Sequence, residues 1–154
     1  MKETSRLLRL RKLDSKSKPY SEAADTPPPG EGWINGIRTA LNMTLGQLAK
    51  KAGVTTQSVK DFETREKQGT ITVNSLKQLA EALDMQLVYA IIPKVGTIED
   101  KVDGKAEEKA REIVHRTANT MALEDQGISS ARLTQALYEK KNELKDEIPK
   151  FLWD

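Results

Sequence analysis

The run TTQSVKDFE (55–63) concentrates the side chains best suited to reading a base edge. A glutamine amide presents a donor beside an acceptor and can bond adenine in a bidentate manner. Lysine can reach guanine or phosphate, and a threonine methyl can meet thymine. Thr56, Gln57, Lys60 and Asp61 are therefore the candidates for base contact. The candidates for phosphate contact are Arg38, Thr44, Thr55, Ser58, Lys67 and Thr70, residue types that bond phosphate oxygens and fix register on a duplex. Residues that turn over a substrate are scarce. The 154-residue chain has no cysteine and one histidine, so a disulfide framework, a thiolate zinc site and a cysteine nucleophile are excluded and a multi-histidine site is hard to assemble. We find no nucleophile with its base, no phosphate loop and no metal cluster, and assign His115 no role. A non-enzymatic protein with no cofactor and no metal is expected.

Short helices with tight joints must carry these side chains. WINGIRTALN (33–42) spaces Trp33, Ile37 and Leu41 four apart, with Ile34 and Ala40 beside them. Thr44 with Gln47 reads as a capping box opening a helix Leu45–Ala52, which buries Leu45, Leu48, Ala49 and Ala52 and stops at Gly53. Thr55 or Thr56 caps a third helix to about Arg65, with only Val59 and Phe62 turned inward; the late Gly69 allows it to run longer. A fourth, about Val73–Leu83, carries Leu76, Leu79, Ala80 and Leu83. Eight residues of helix, a glycine turn and a polar helix match the arithmetic of a helix-turn-helix, in which one helix crosses the phosphate backbone and the next enters the major groove.

TLGQLAKKAGVTTQSVKDFE resembles the two motif helices of the lambda-repressor-like (XRE-type) helix-turn-helix family. The likeness places the family's helix start on Thr44–Leu45, its small residue on Ala49, its turn glycine on Gly53, its base-reading start on Thr56 and Gln57, and its core glutamate on Glu63. Two positions depart: Leu45 replaces a residue that is polar in many members, and Thr64-Arg65 replaces the usual Asn-Gly. With its flanks, above all ALDMQLVYAIIPK, nearly the whole chain resembles the mobile mystery protein A family. That resemblance implies a DNA-binding regulator carried on mobile elements beside a Fic-domain protein, acting as an autorepressor or antitoxin-like partner. The alternative is a protein-interaction antitoxin that neutralises its partner enzyme, with DNA binding secondary.

The flanks complete the expected architecture: mainly α, a helix-turn-helix bundle with one strand, a basic N-terminal helix and a C-terminal helical pair. Residues 1–18 hold seven basic residues (Lys2, Arg6, Arg9, Arg11, Lys12, Lys16 and Lys18) against Glu3 and Asp14. Residues 19–98 balance, and residues 99–154 hold ten basic against thirteen acidic, so the net charge of +2 conceals a basic arm and an acidic tail. Leu7, Leu10 and Leu13 give the arm a narrow apolar stripe, and Arg6, Arg9, Arg11 and Lys12 are expected to lie on DNA backbone or in a minor groove. A Pro/Gly linker without regular structure follows (19–32), then the DNA-binding domain with its strand (33–94) and the extension (95–154). MQLVYAIIP reads as a strand over about 85–92, with Leu87, Tyr89 and Ile91 on one face and Val88, Ala90 and Ile92 on the other. It has no partner in the chain, so we expect it to pair with its copy in a second subunit or with a partner protein; the favoured form uses Leu87, Val88, Tyr89 and Ile91 in a homodimer on a palindromic operator, and the alternative is that the segment covers its own helical core. Tail helices are expected at about Asp103–Leu123 and Ser129–Glu147, broken at Gln126–Gly127, with Glu124/Asp125 to Ser129 as the turn. One carries a stripe of Ala106, Ala110, Ile113/Val114, Thr117 and Met121, the other Leu133, Leu137, Leu144, Ile148 and Leu152. These stripes should pack on each other or on a neighbouring subunit, with a second reading as an arm for the enzymatic partner. Trp33 and Trp153 are expected as packing anchors. The longest apolar run, Leu87–Pro93, is far short of a membrane span and the basic N-terminus has no apolar segment after it, so a cytoplasmic protein, on the nucleoid when bound to DNA, is expected.

One test follows from the base-contact assignment. Gln57→Ala should cost about 1–3 kcal/mol of binding and relax sequence preference in a gel-shift series, whereas loss of a phosphate contact weakens all sequences alike.

Overall fold

In the computed structural model, which describes residues 4–123, 127 and 129–154, the described residues form seven α-helices and no strand. Lys2 and Glu3 of the basic arm and the joint at Glu124–Gln126 lie outside the described residues. The helices are α1 (Ser5–Ser17), α2 (Trp33–Ala40), α3 (Leu45–Ala52), α4 (Thr56–Gln68), α5 (Val73–Ala82), α6 (Ile98–Leu123) and α7 (Ser130–Glu147), with 3-10 turns at Lys18–Asp25 and Lys150–Trp153. They fall into two compact units, Ala23–Ala90 and Met1–Glu22 with Ile91–Asp154.

The first unit contains α2 to α5 around Ile34, Leu48, Ala49, Val59, Leu79 and Leu83. Its helices are punctuated by one repeated device. α3, α4 and α5 start at Thr44, Thr55 and Thr72, whose hydroxyls accept the backbone N–H three residues on. α2 to α5 end at Asn42, Gly53, Gly69 and Asp84, all left-handed. The next N–H then reaches back, as from Val54 to the Ala49 carbonyl and from Thr70 to the Arg65 carbonyl. Gly, Asn and Asp are the residues that tolerate this conformation, so the sequence closes each helix with a residue able to turn it.

Four expectations are corrected here. α2 turns Ile34 inward, 3% exposed, while Trp33 and Leu41 are each 54% exposed. Of the four-residue row through Trp33 only Ile37 packs on the core, beside Ile34, so the inward face of this short helix lies between its two apolar rows. Trp153 is likewise half-exposed. The segment expected as a strand carries no regular secondary structure, because a strand needs a partner and the described residues supply none; Val88, Tyr89 and Ile91 are exposed. The linker is not wholly irregular, since residues 18–25 form the exposed 3-10 turn.

The second unit corrects the arm. α1 packs on α6 and α7, burying Leu7 and Leu10 while Leu13 stays exposed. Leu10 joins Val102, Ala106, Ala110, Leu144 and Leu152, with Ile98, Ile113, Leu137 and Ile148 against them. The narrow leucine stripe thus finds an apolar partner among the tail helices, whose stripes pack on each other. The basic groups follow: Arg6 donates to the Glu147 carbonyl at 2.7 Å, beside Thr4 Oγ1 donating to the Asp146 carbonyl, and both satisfy the open end of α7. Arg11 forms a bidentate pair with Glu99 at 2.9 and 3.1 Å. α6 begins at Ile98, earlier than expected, because Asp14 of α1 accepts the N–H groups of Ile98 and Glu99 and Thr97 forms a reciprocal cap with Asp100. Residues 4–18 and the tail helices therefore belong to one unit.

The paired carboxylates of α6 set a pH response. Hydrogen bonding from Arg11 holds Glu99 below the usual carboxylate range, and Lys141 does the same for Asp103. Depressed native values mean that stability is fully present above the unfolded-state values and lost as pH falls through the native ones. Thermal melts of the full chain should be flat from neutral pH down to the ordinary carboxylate range and then fall. Glu99→Gln should lessen that fall and lower the neutral-pH melting temperature.

Candidate nucleic-acid interface

α4 has two faces, set by its sequence. Val59 is fully buried, Phe62 packs beside it, and Glu63, 8% exposed, is the one charged residue among the buried set. Burial of a carboxylate demands compensation. Arg38 of α2 supplies it with Nε at 2.6 Å and Nη2 at 3.2 Å, and Asn35 Nδ2 donates at 2.9 Å. Arg38 Nη1 also donates to the Met43 carbonyl. The hydrogen bond to Glu63 raises the Arg38 pKa above its ordinary value, so the guanidinium stays charged. Arg38, expected as a phosphate contact, is instead spent on the core: its side chain is 12% exposed, and releasing it would strand Glu63.

One turn further along, Glu66 caps α2 from outside that helix. Its carboxylate accepts the N–H groups of Trp33 and Ile34 at 2.8 and 2.9 Å, the position an anion takes at a helix start. Gly32 makes room, with φ +90° and a Cβ position that would lie 2.9 Å from Glu66 Oε1. Sequence reasoning missed Glu66, and the only available signal was Gly32 directly before a helix with no side-chain cap of its own.

The opposite face of α4 is exposed and holds Thr56, Gln57, Lys60, Asp61, Thr64, Arg65 and Lys67. Gln57, Lys60, Asp61 and Thr64 stand at i, i+3, i+4 and i+7, on one stripe. Thr64 was not singled out from sequence, although its seven-residue step from Gln57 marks it. Gln57 Nε2 donates to Asp61 Oδ1 at 3.0 Å. The leading turns of α3 and α4 lie side by side, since a Cβ on Gly46 would sit 3.8 Å from Thr56 Oγ1 and 4.0 Å from Thr44 Oγ1. Thr44 and Gln47 form the capping box, and the Thr55 hydroxyl bonds Ser58 Oγ at 2.8 Å and accepts the Ser58 N–H. The structure thus brings Thr44, Thr55, Thr56, Gln57 and Ser58 together at one end. Lys67 and Thr70 lie at the other, with Lys67 about 15 Å from Gln57 at the helical rise per residue. Thr70 belongs to the closing turn of α4, while the cap of α5 is Thr72.

Residues 34–89 match the model of the Helix-turn-helix (HTH_3) family, a DNA-binding regulatory family rather than an enzymatic one. This segment of the chain is an XRE-type helix-turn-helix domain, which supports a DNA-binding regulator. No curated protein and no solved structure matches the chain. Among the described residues no helix is long and apolar enough to cross a membrane.

The buried pair sets a stability test. Arg38→Ala should cost about 3 kcal/mol or more in urea unfolding, because Glu63 then remains buried without its counter-charge. Replacing both residues together, Arg38→Met with Glu63→Leu, should recover most of that loss.

Proposed function

We propose that the chain is a sequence-specific DNA-binding transcriptional regulator that lays the exposed face of α4 in the major groove. The observation that carries this reading is the polarity of α4: its inward acids, Glu63 and Glu66, are occupied by α2. The exposed charges left are Lys60, Arg65 and Lys67 against Asp61 alone, so a helix of formally balanced charge offers DNA a basic surface. Thr56, Gln57 and Lys60 address base edges, with Asp61 on the same stripe bonded to Gln57. Thr44, Thr55 and Ser58 at the leading end and Lys67 and Thr70 at the trailing end address phosphates. Arg9 and Lys12 are the exposed basic residues of α1 kept as candidate backbone contacts, since Arg6 and Arg11 have partners within their own unit.

A homodimer on a palindromic operator is part of the proposal. What supports it is the apolar run in which Val88, Tyr89 and Ile91 are 59%, 70% and 94% exposed, a large uncovered area for a monomer. The resemblance to the mobile mystery protein A family suggests the biological setting: an autorepressor and antitoxin-like partner of a Fic-domain protein. The second reading, an antitoxin that acts mainly by protein contact, draws on the α1–α6–α7 unit, which is built around its own apolar core.

Gel shift of the full chain on the DNA upstream of its own gene, with and without the neighbouring gene product, tests these readings. We expect a specific shift whose log K against log salt slope falls by about one in Lys67→Ala. No shift with the chain alone, combined with tight capture of the neighbouring product, would favour the protein-contact reading.

A further inference from the structure

Asp61 stands in the wrong place for simple DNA affinity. It is an exposed carboxylate on the one helix face proposed to meet DNA, where it repels phosphate. Its partner explains its presence. At neutral pH a carboxylate only accepts hydrogen bonds, so the Gln57 amide must turn its NH2 toward Asp61, and the 3.0 Å Nε2–Oδ1 contact has that sense. One amide hydrogen is then committed. The outward edge of Gln57 keeps one N–H and the carbonyl oxygen.

From this geometry we infer that Asp61 is a positioning residue that makes Gln57 a reader of adenine against guanine; the inference rests on the DNA-reading role of α4. Adenine presents N7 as acceptor and N6 as donor in the major groove, the complement of the edge Gln57 has left. Guanine presents two acceptors, N7 and O6. To bond both, Gln57 must turn both amide hydrogens outward, which breaks the bond to Asp61 and leaves that carboxylate beside an electron-rich base edge. Discrimination therefore comes from fixing the amide and not from adding a contact. It has a signature that neither a structural role nor a phosphate contact shares: removing Asp61 weakens preference while leaving or improving affinity for arbitrary DNA.

The experiment selects duplexes from a randomised pool with the full-length protein and locates the base pair whose preference disappears in Gln57→Ala. Binding to all four base pairs at that position is then measured by fluorescence anisotropy at fixed salt for wild type, Asp61→Ala and Asp61→Asn. We expect wild type to prefer adenine over guanine by about tenfold or more. In Asp61→Ala that ratio should fall to within about threefold, with unchanged or tighter binding to unrelated DNA as a repulsive charge is lost. Asp61→Asn should also lower the ratio, because its amide can donate to Gln57 Oε1 as well as accept from Nε2 and so no longer fixes the sense of the Gln57 amide. An unchanged ratio in Asp61→Ala overturns the inference, as does wild-type selection of guanine, or a preference lost only at a separate cytosine that Asp61 reads itself. If wild type enriches no sequence at all, the DNA-reading role fails and this inference with it, an outcome distinct from a sequence-specific protein indifferent to Asp61.

Discussion

The Ala23–Ala90 unit depends on the burial of one charged pair between its first helix and its exposed polar helix. A carboxylate at 8% exposure is tolerated only with charge and hydrogen bonds supplied, and Arg38 and Asn35 supply both. The pair joins α2 to α4 at a fixed register, since a bidentate guanidinium–carboxylate contact accepts little sliding or rotation. Glu66 adds a second tie one turn along, holding the start of α2 through two backbone N–H groups. With Val59 fully buried one turn before Glu63, the rotation of α4 about its own axis is set. The face carrying Gln57, Lys60 and Asp61 is exposed because the other face is committed.

The same division explains how a helix with balanced formal charge presents a basic surface. Of the three acids on α4, two point inward and are neutralised by α2, one by a guanidinium and one by a helix start. The third bonds the amide of Gln57. Each carboxylate therefore orients a group: two orient α2 against α4, and one orients a side chain. The α1–α6–α7 unit uses an inter-helix carboxylate in a comparable way, with Asp14 of α1 holding the start of α6.

Much of the first unit was legible because local rules governed it. Thr44 with Gln47, Gly53 and the Leu48–Ala49 pair are signals contained within a turn or two, and each stands where its chemistry requires. Glu63 was legible only through family resemblance, and its pairing with Arg38 was not: a lone arginine on a short helix looks like a phosphate ligand until the buried acid is placed beside it. Glu66 and Asp14 were illegible for a related reason, since each caps a helix far away in sequence. The leucine stripe of α1 was read correctly as helical spacing. Its partner depends on tertiary packing, so the sequence shows a basic helix and not the α6 and α7 surface that covers its leucines. The run 85–92 shows the limit of pattern reading, because alternation and β-branching describe a strand while a ladder requires a second strand.

The central claim is that α4 and the start of α3 meet DNA. The most direct test maps amide chemical shifts of the full-length protein, titrated with a duplex enriched by selection. The account predicts that the largest changes fall on Thr44–Gln47 and on Thr55–Thr64, with smaller ones at Lys67 and Thr70 and little at the buried contacts of Arg38. Changes confined to α6 and α7, with α4 unmoved at saturating DNA, would contradict it.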